Sequence, residues 1–167
     1  LFEARFRLGM FDDDCEYDKI PYDVVECEAH RALNRKMAQK SMVLLTNDGI
    51  LPIKGKKTIA VIGPNADEKS VLLGNYNGIP SRYTTLLRGI QDGGEHRVIY
   101  ARGCHAYRDT NYLNEAIIAA RQADIVILCM GLNPSLEGEE GDAYNAAEGG
   151  DKRGIEYPAS QRKLIDR

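Results

Sequence analysis

Thr58-Ile-Ala-Val-Ile62 and Asp124-Ile-Val-Ile-Leu-Cys-Met130 are the two runs from which the fold of this 167-residue chain is read. The first is continuously apolar and rich in β-branched residues, as a strand buried on both faces of a parallel sheet must be. The second reads the same way and predicts another buried strand. Between them lies a third run, Arg97-Val-Ile-Tyr-Ala101, flanked by two segments with helical spacing. In one, Thr84 or Thr85 caps a helix through Leu86, Leu87 and Ile90 that Gly93-Gly94 closes. In the other, Leu113, Ala116, Ile117 and Ala120 share a stripe. Strand, helix, strand, helix, strand at this spacing predicts a βαβαβ unit with right-handed crossovers, hence an α/β fold on a parallel sheet.

The loop after the last strand is where such a sheet places function. Residues Gly131 to Asp151 carry Glu137, Glu139, Glu140, Asp142, Glu148 and Asp151 with no Lys or Arg. Open α/β sheets bind ligands at the carboxyl ends of their strands, and loops there carry chemistry. By composition alone, an acidic run of this kind is more often a solvated surface.

Composition narrows the class. The chain is 43% hydrophobic with a net charge of −3, which supports a globular core and gives no basic footprint for nucleic acid. No apolar run reaches the roughly 18 residues that span a bilayer. Cys15, Cys27, Cys104 and Cys129 show no metal-like spacing, and neither do His30, His96 and His105, so no metal or cofactor is expected. Scattered thiols favour a reducing, cytoplasmic compartment.

Further out, residues 1–22 read as the tail of a preceding element plus a linker. A helix is then predicted from a capping box, Asp23 with Glu26, through Ala29, Leu33, Met37, Ala38, Val43 and Leu44, ending at Asn47-Asp48-Gly49. Its stripe reads as core packing. The turn Gly63-Pro64-Asn65-Ala66-Asp67 after the first strand lacks GxGxxG, and Pro64 has no N–H for a phosphate, which disfavours a nucleotide. Tyr76, Tyr83 and Asn77 lie in a Gly-rich stretch. Aromatic faces stack on sugar C–H groups and amides bond hydroxyls, so Tyr76 and Asn77 are candidates for substrate binding; an ordinary turn is the competing reading. Pro158 suits a first helical position, with Gln161, Leu164 and Ile165 following at helical spacing. The chain stops at Arg167 inside that helix, so a longer protein is expected.

Four segments, in this order, carry a resemblance: RFRLGMFD, AQKSMVLLTNDGILPI with TIAVIGPNAD, LLGNYNGIPSRYTTLLRGI, and ILCMGLNPSLEGE. Together they resemble glycoside hydrolase family 3, in its β-xylosidase and β-glucosidase branch. The resemblance implies a barrel-like domain followed by a three-layer α/β sandwich with a largely parallel sheet, in retaining exo-acting β-glycosidases. Residues 1–22 would then end the barrel and form the linker, and residues 23–167 would be an incomplete sandwich domain. The partners implied are a β-linked oligosaccharide with terminal xylose or glucose, and the protein's own barrel. The family's nucleophile, an Asp, lies in that barrel. The acid/base carboxylate comes from the loop at Gly131 to Asp151, with Glu137 the first choice, Glu139 the second and Glu140 the third.

Two departures stand out. The family places an Asp-Arg pair shortly after the Glu-rich segment, then Leu-Pro-x-x-Gln. Here the pair reads Asp151-Lys152 after extra residues at about 141–150, and Tyr157 stands before Pro158. With no barrel to dock against, the loop is expected to be disordered or displaced, and the piece inactive alone. The alternative is a non-catalytic carbohydrate-binding or scaffold module whose acidic loop only packs or solvates. The residues upstream of Leu1 would discriminate the two.

Overall fold

The structure, a computed structural model, describes residues 1–74, 78–109, 112–138, 152 and 154–167. They form two compact units, Leu1–Asp48 and Gly49–Arg167.

In the first unit, α1 (Phe2–Arg7) carries Phe2 and Phe6 on one side, and both rings pack on Phe11, with centroids 6.3 and 4.7 Å away. Helix α2 spans Glu28–Ser41. Its start corrects the expected capping box. Tyr22–Val24 forms a 3₁₀ turn, and Glu26 adopts φ 56°, a left-handed conformation that no residue of a right-handed helical turn can hold. Cys27 precedes the helix instead, without a side-chain cap. The end differs too. The Ser41 hydroxyl donates to the Ala38 carbonyl at 2.9 Å, at the acceptor that a continuing helix would offer to residue 42. Met42 is extended, so Val43 and Leu44 are not helical. Nor is the apolar stripe core: Leu33 and Met37 are exposed, because this unit supplies no second layer against them.

The second unit holds a parallel sheet of β1 (Thr58–Ile62), β2 (Arg97–Ala101) and β3 (Ile125–Leu128), in the order β2-β1-β3. Helices α3 (Leu86–Asp92), α4 (Leu113–Arg121) and α5 (Ala159–Ile165) complete it. Alternation along β1 divides its side chains between two cores. Ala60 and Ile62 pack with Ala116, Ala119 and Leu164 of α4 and α5. Ile59 and Val61 pack with Leu87 of α3, Ala66 and Cys129. Helices on both faces of a parallel sheet make the three-layer α/β arrangement expected.

One expectation about the strands needs correcting. Only β1, the central strand, is buried on both faces. On β3, Val126 and Leu128 are 41% and 44% exposed: this strand lies at the edge of the described sheet, and the described residues leave part of one of its faces uncovered.

Local sequence explains the joints. The Thr85 hydroxyl caps α3 by accepting from Arg88 N at 3.2 Å, and it donates to the Asp67 carboxylate at 2.8 Å, tying the turn after β1 to the helix. At the amino edge, Thr58 N donates to the Asp124 carboxylate and Asp124 N donates to Thr58 O, each at 2.8 Å. That reciprocal pair pins the register of β1 against β3. Among the described residues, no helix is long and apolar enough to cross a membrane.

Candidate active site

The order β2-β1-β3 means that the chain leaves β1 toward one side and returns on the other. The carboxyl ends of β1 and β3 therefore flank a topological switch point, where the loops diverge and leave a crevice. Three segments meet at this edge: Gly63 to Asp67 after β1, Gly131 to Glu137 after β3, and the start of α5.

The first segment is drawn tight against the third strand's end. Cys129 N donates to Ile62 O at 2.6 Å, and Asn65 N donates to Cys129 O at 3.2 Å. The amide of Asn65 is thus spent on the neighbouring strand, which agrees with the absence of a phosphate loop. The Asn65 side chain is buried, and its amide nitrogen reaches the Leu132 carbonyl at 3.5 Å.

Gly131, at φ 124°, turns the chain out of the sheet. Its N–H and C=O have left the ladder, and the Gln161 side chain takes both. Gln161 Oε1 accepts from Gly131 N at 2.8 Å, and Nε2 donates to Gly131 O at 2.8 Å. The same Nε2 donates to Ala106 O, in the loop after β2, at 2.9 Å. Gln161 is 0% exposed, so these bonds compete with no water.

Beyond Gly131 the chain builds a compact turn on Asn133. The Asn133 side-chain oxygen accepts from Ser135 N at 3.1 Å and from the Ser135 hydroxyl at 2.6 Å. The Asn133 carbonyl accepts from Leu136 N at 2.9 Å and Glu137 N at 3.2 Å. Leu136 is buried and anchors the turn. Glu137 follows, half-buried, with its carboxylate accepting from Lys152 N at 2.9 Å. This bond links the two ends of the acidic segment.

Of the residues singled out by sequence, Glu137 is thus placed at the crevice edge. Glu139, Glu140, Tyr76 and Asn77 lie outside the described residues, as does the remainder of the loop expected to be disordered. Tyr83 faces the Lys69 ammonium, 5.3 Å from its ring centre. Among the described residues, no three His, Cys, Asp or Glu side chains gather as metal ligands would.

Sequence reasoning missed Gln161 as a contributor. Its signals were the Pro158-x-x-Gln161 pattern shared with the family and a polar residue on the buried stripe of a helix, where an amide is found only if every bond it can make is met.

Two thiols and an imidazole are also shifted from their ordinary values. Burial pushes the Cys104 thiol up to about 11, with Arg102 opposing, and burial raises Cys129 as well. Burial, then Arg102 and Arg108, lower His105. His105 Nδ1 accepts from Tyr107 N and Arg108 N at 3.4 and 3.3 Å, which a neutral ring allows.

Comparison with known proteins follows the same contour. The Glycosyl hydrolase family 3 C-terminal domain matches residues 42–167. A probable exo-1,4-beta-xylosidase of Neosartorya fischeri is 36% identical over 169 aligned residues, covering 99% of this chain and 21% of that protein. The beta-D-xylosidase 3 of Arabidopsis thaliana is 34% identical, again over 99% of this chain and 21% of the relative. This chain therefore spans about a fifth of the length of the curated relatives it matches. Among solved structures, a GH3 exo-beta-xylosidase in complex with a xylobiose aziridine activity-based probe superposes with TM-score 0.84 at 32% identity, over 99% of this chain and 20% of that one. A β-glucosidase from Erythrobacter marinus superposes with TM-score 0.79 at 28% identity, over 98% of this chain and 25% of its own.

Proposed function

This chain belongs to the glycosyl hydrolase family 3 C-terminal domain family, and from that premise we propose that it supplies the acid/base carboxylate of a retaining, exo-acting β-glycosidase. The substrate is a β-linked oligosaccharide from which terminal xylose, or secondarily glucose, is released. Similarity to β-xylosidases at 33–36% identity supports xylose first, and the likeness to a β-glucosidase structure at 28% keeps glucose second.

The observation that carries the reading is the placement of Glu137. It stands on the loop that leaves β3 at the switch crevice, on a backbone held by Asn133 and Leu136. A retaining mechanism needs two carboxylates about 5–5.5 Å apart. One attacks the anomeric carbon. The other protonates the departing glycosidic oxygen and later takes the proton from the attacking water. Glu137 has the second role. The nucleophile belongs to a barrel domain N-terminal to this chain, with residues 1–22 ending that barrel and residues 23–167 forming the first part of the sandwich. This chain alone would be inactive, because only one of the two carboxylates is present.

The test uses the protein as its gene encodes it, assayed on aryl β-xylosides and β-glucosides. Glu137→Gln should lower turnover by roughly 10²- to 10⁴-fold. Azide should restore activity to Glu137→Gly, since the small anion can attack where general-base help has been lost. Undiminished turnover by Glu137→Gln would remove the assignment, and rescue at Glu139 in its place would move the role two residues onward.

A further inference from the structure

We infer that Gln161 is a positioning residue for the acid/base carboxylate, acting through Gly131 and the Asn133 turn to hold Glu137 at its working place. The inference rests on the reading of Glu137 given above, and deepens it by naming what aims the loop.

The argument starts from the bonding capacity of a primary amide. Gln161 offers two N–H donors and one carbonyl acceptor at the end of a side chain that is 0% exposed. Its acceptor meets Gly131 N at 2.8 Å, and its donors meet Gly131 O at 2.8 Å and Ala106 O at 2.9 Å. The amide therefore replaces a strand. Gly131 has turned away from β1 at φ 124°, and Gln161 gives it the donor and acceptor that the ladder no longer provides.

What this clamp governs is the root of the loop. From Gly131 the path to Glu137 is short and bonded throughout. Asn65 Nδ2 reaches Leu132 O at 3.5 Å, and the Asn133 side chain and carbonyl fix Ser135, Leu136 and Glu137 N at 2.6 to 3.2 Å. Leu136 is 8% exposed and seats the turn against the unit. A rotation at Gly131 would thus be carried to Glu137 rather than absorbed on the way. The third bond, to Ala106 O, joins this root to the loop after β2, so the clamp is referenced to the sheet and not only to α5.

No other side chain reproduces this pattern. An ionised Glu has acceptors only and would face the carbonyls of Gly131 and Ala106. Met matches the size but leaves one amide N–H and two carbonyls without a partner inside the protein.

The consequence is specific to proton transfer. Misplacing a catalytic group by about 1 Å can cost on the order of 10²-fold in rate. In kcat/KM, which reports the step that breaks the glycosidic bond and not the later hydrolysis of the glycosyl-enzyme, that loss falls only on substrates whose leaving oxygen needs a proton. A dinitrophenyl β-xyloside departs without one, whereas a phenyl β-xyloside depends on the acid.

The experiment therefore compares kcat/KM for the two aryl β-xylosides in the encoded protein and in Gln161→Met, Gln161→Glu, Gln161→Asn and Glu137→Gly. The ratio of the two rates is independent of how much variant folds, because both assays see the same active molecules. Gln161→Met should lower kcat/KM for the phenyl substrate roughly tenfold to 10²-fold more than for the dinitrophenyl one, chiefly in kcat. If Gln161→Met yields no folded protein, Gln161→Glu carries the same comparison and the same expectation. Gln161→Asn, a shorter amide, should show a smaller split than either.

Parallel loss on both substrates in the Gln161 variants would make Gln161 a structural residue only and overturn the inference, even where Glu137→Gly shows the split. A split in Gln161→Met with none in Glu137→Gly would overturn the action through Glu137 while leaving Gln161 as the clamp of another acid. Absence of turnover on every aryl β-glycoside overturns the inference together with the reading beneath it.

Discussion

Gly63 and Cys129 approach so closely that a Cβ at Gly63 would lie 2.3 Å from the Cys129 carbonyl oxygen and 2.8 Å from its carbonyl carbon. This is backbone against backbone, so no rotamer can relieve it. Gly63 also holds φ 133°, which side chains other than glycine's rarely adopt. The contact holds the chain just past β1 against the chain just past β3 and lets Asn65 N reach Cys129 O at 3.2 Å.

Gly63→Ala should therefore be among the most damaging small substitutions in the chain. Overpacking and backbone strain together cost about 3 kcal/mol or more. Denaturant titration of the encoded protein checks this. A midpoint within error of the parent would mean that the two strand ends can part without cost, and the bonds around Asn65 would lose their role.

How much of this was written in the sequence depends on the range of the interactions. Strands β1 and β2 fall at the expected residues, because Thr58 to Ile62 and Arg97 to Ala101 are short apolar runs with clear boundaries. The Thr85 cap of α3 is also local, a hydroxyl bonding an amide three residues on, and it was legible. The start of α2 was not. A capping-box pattern at Asp23 and Glu26 says nothing of the left-handed φ that Glu26 adopts. The incomplete burial of β3 was hidden because an apolar run does not state which strand lies outermost. At the candidate site, the position of Glu137 on the loop after β3 was legible through the strand-to-loop order, whereas its proposed role comes from family likeness. The clamp was not, since the bonds of Gln161 span 30 and 55 residues and no local spacing encodes them.

His105 gives the second unit a predictable response to acid. Its folded-state pKa is lowered from 6.5 by burial first, then by Arg102 and Arg108. The unfolded chain therefore binds the proton more readily. Stability from the neutral ring is fully present above the unfolded value and is lost as pH falls below 6.5 through the lowered folded value. Protonation would also take the Nδ1 lone pair from Tyr107 N and Arg108 N. Unfolding free energies measured from pH 7.5 down to pH 5 should decline, and His105→Gln should decline less. Identical slopes would show that the ring titrates alike in both states.

The two buried thiols make an opposite prediction at alkaline pH. Burial raises Cys104 from 9.0 to about 11, so it stays a neutral thiol well past the range where a free cysteine ionises, and burial raises Cys129 in the same direction. The thiolate is the reactive form. Iodoacetamide at pH 8 should leave Cys104 and Cys129 unlabelled in the native protein and modify both once denaturant is added, as read by peptide mass spectrometry. The linkage has a sign as well. Between the unfolded value of 9.0 and the folded value of about 11 for Cys104, the native state holds a proton that the unfolded chain has released, so stability falls as pH rises through that window. Cys129 packs with Val61 and Leu87 just past the end of β3, two residues before Gly131. Its labelling in the native protein would therefore mean that the root of the Glu137 loop opens to solvent, and the rigid path from sheet to carboxylate would not hold.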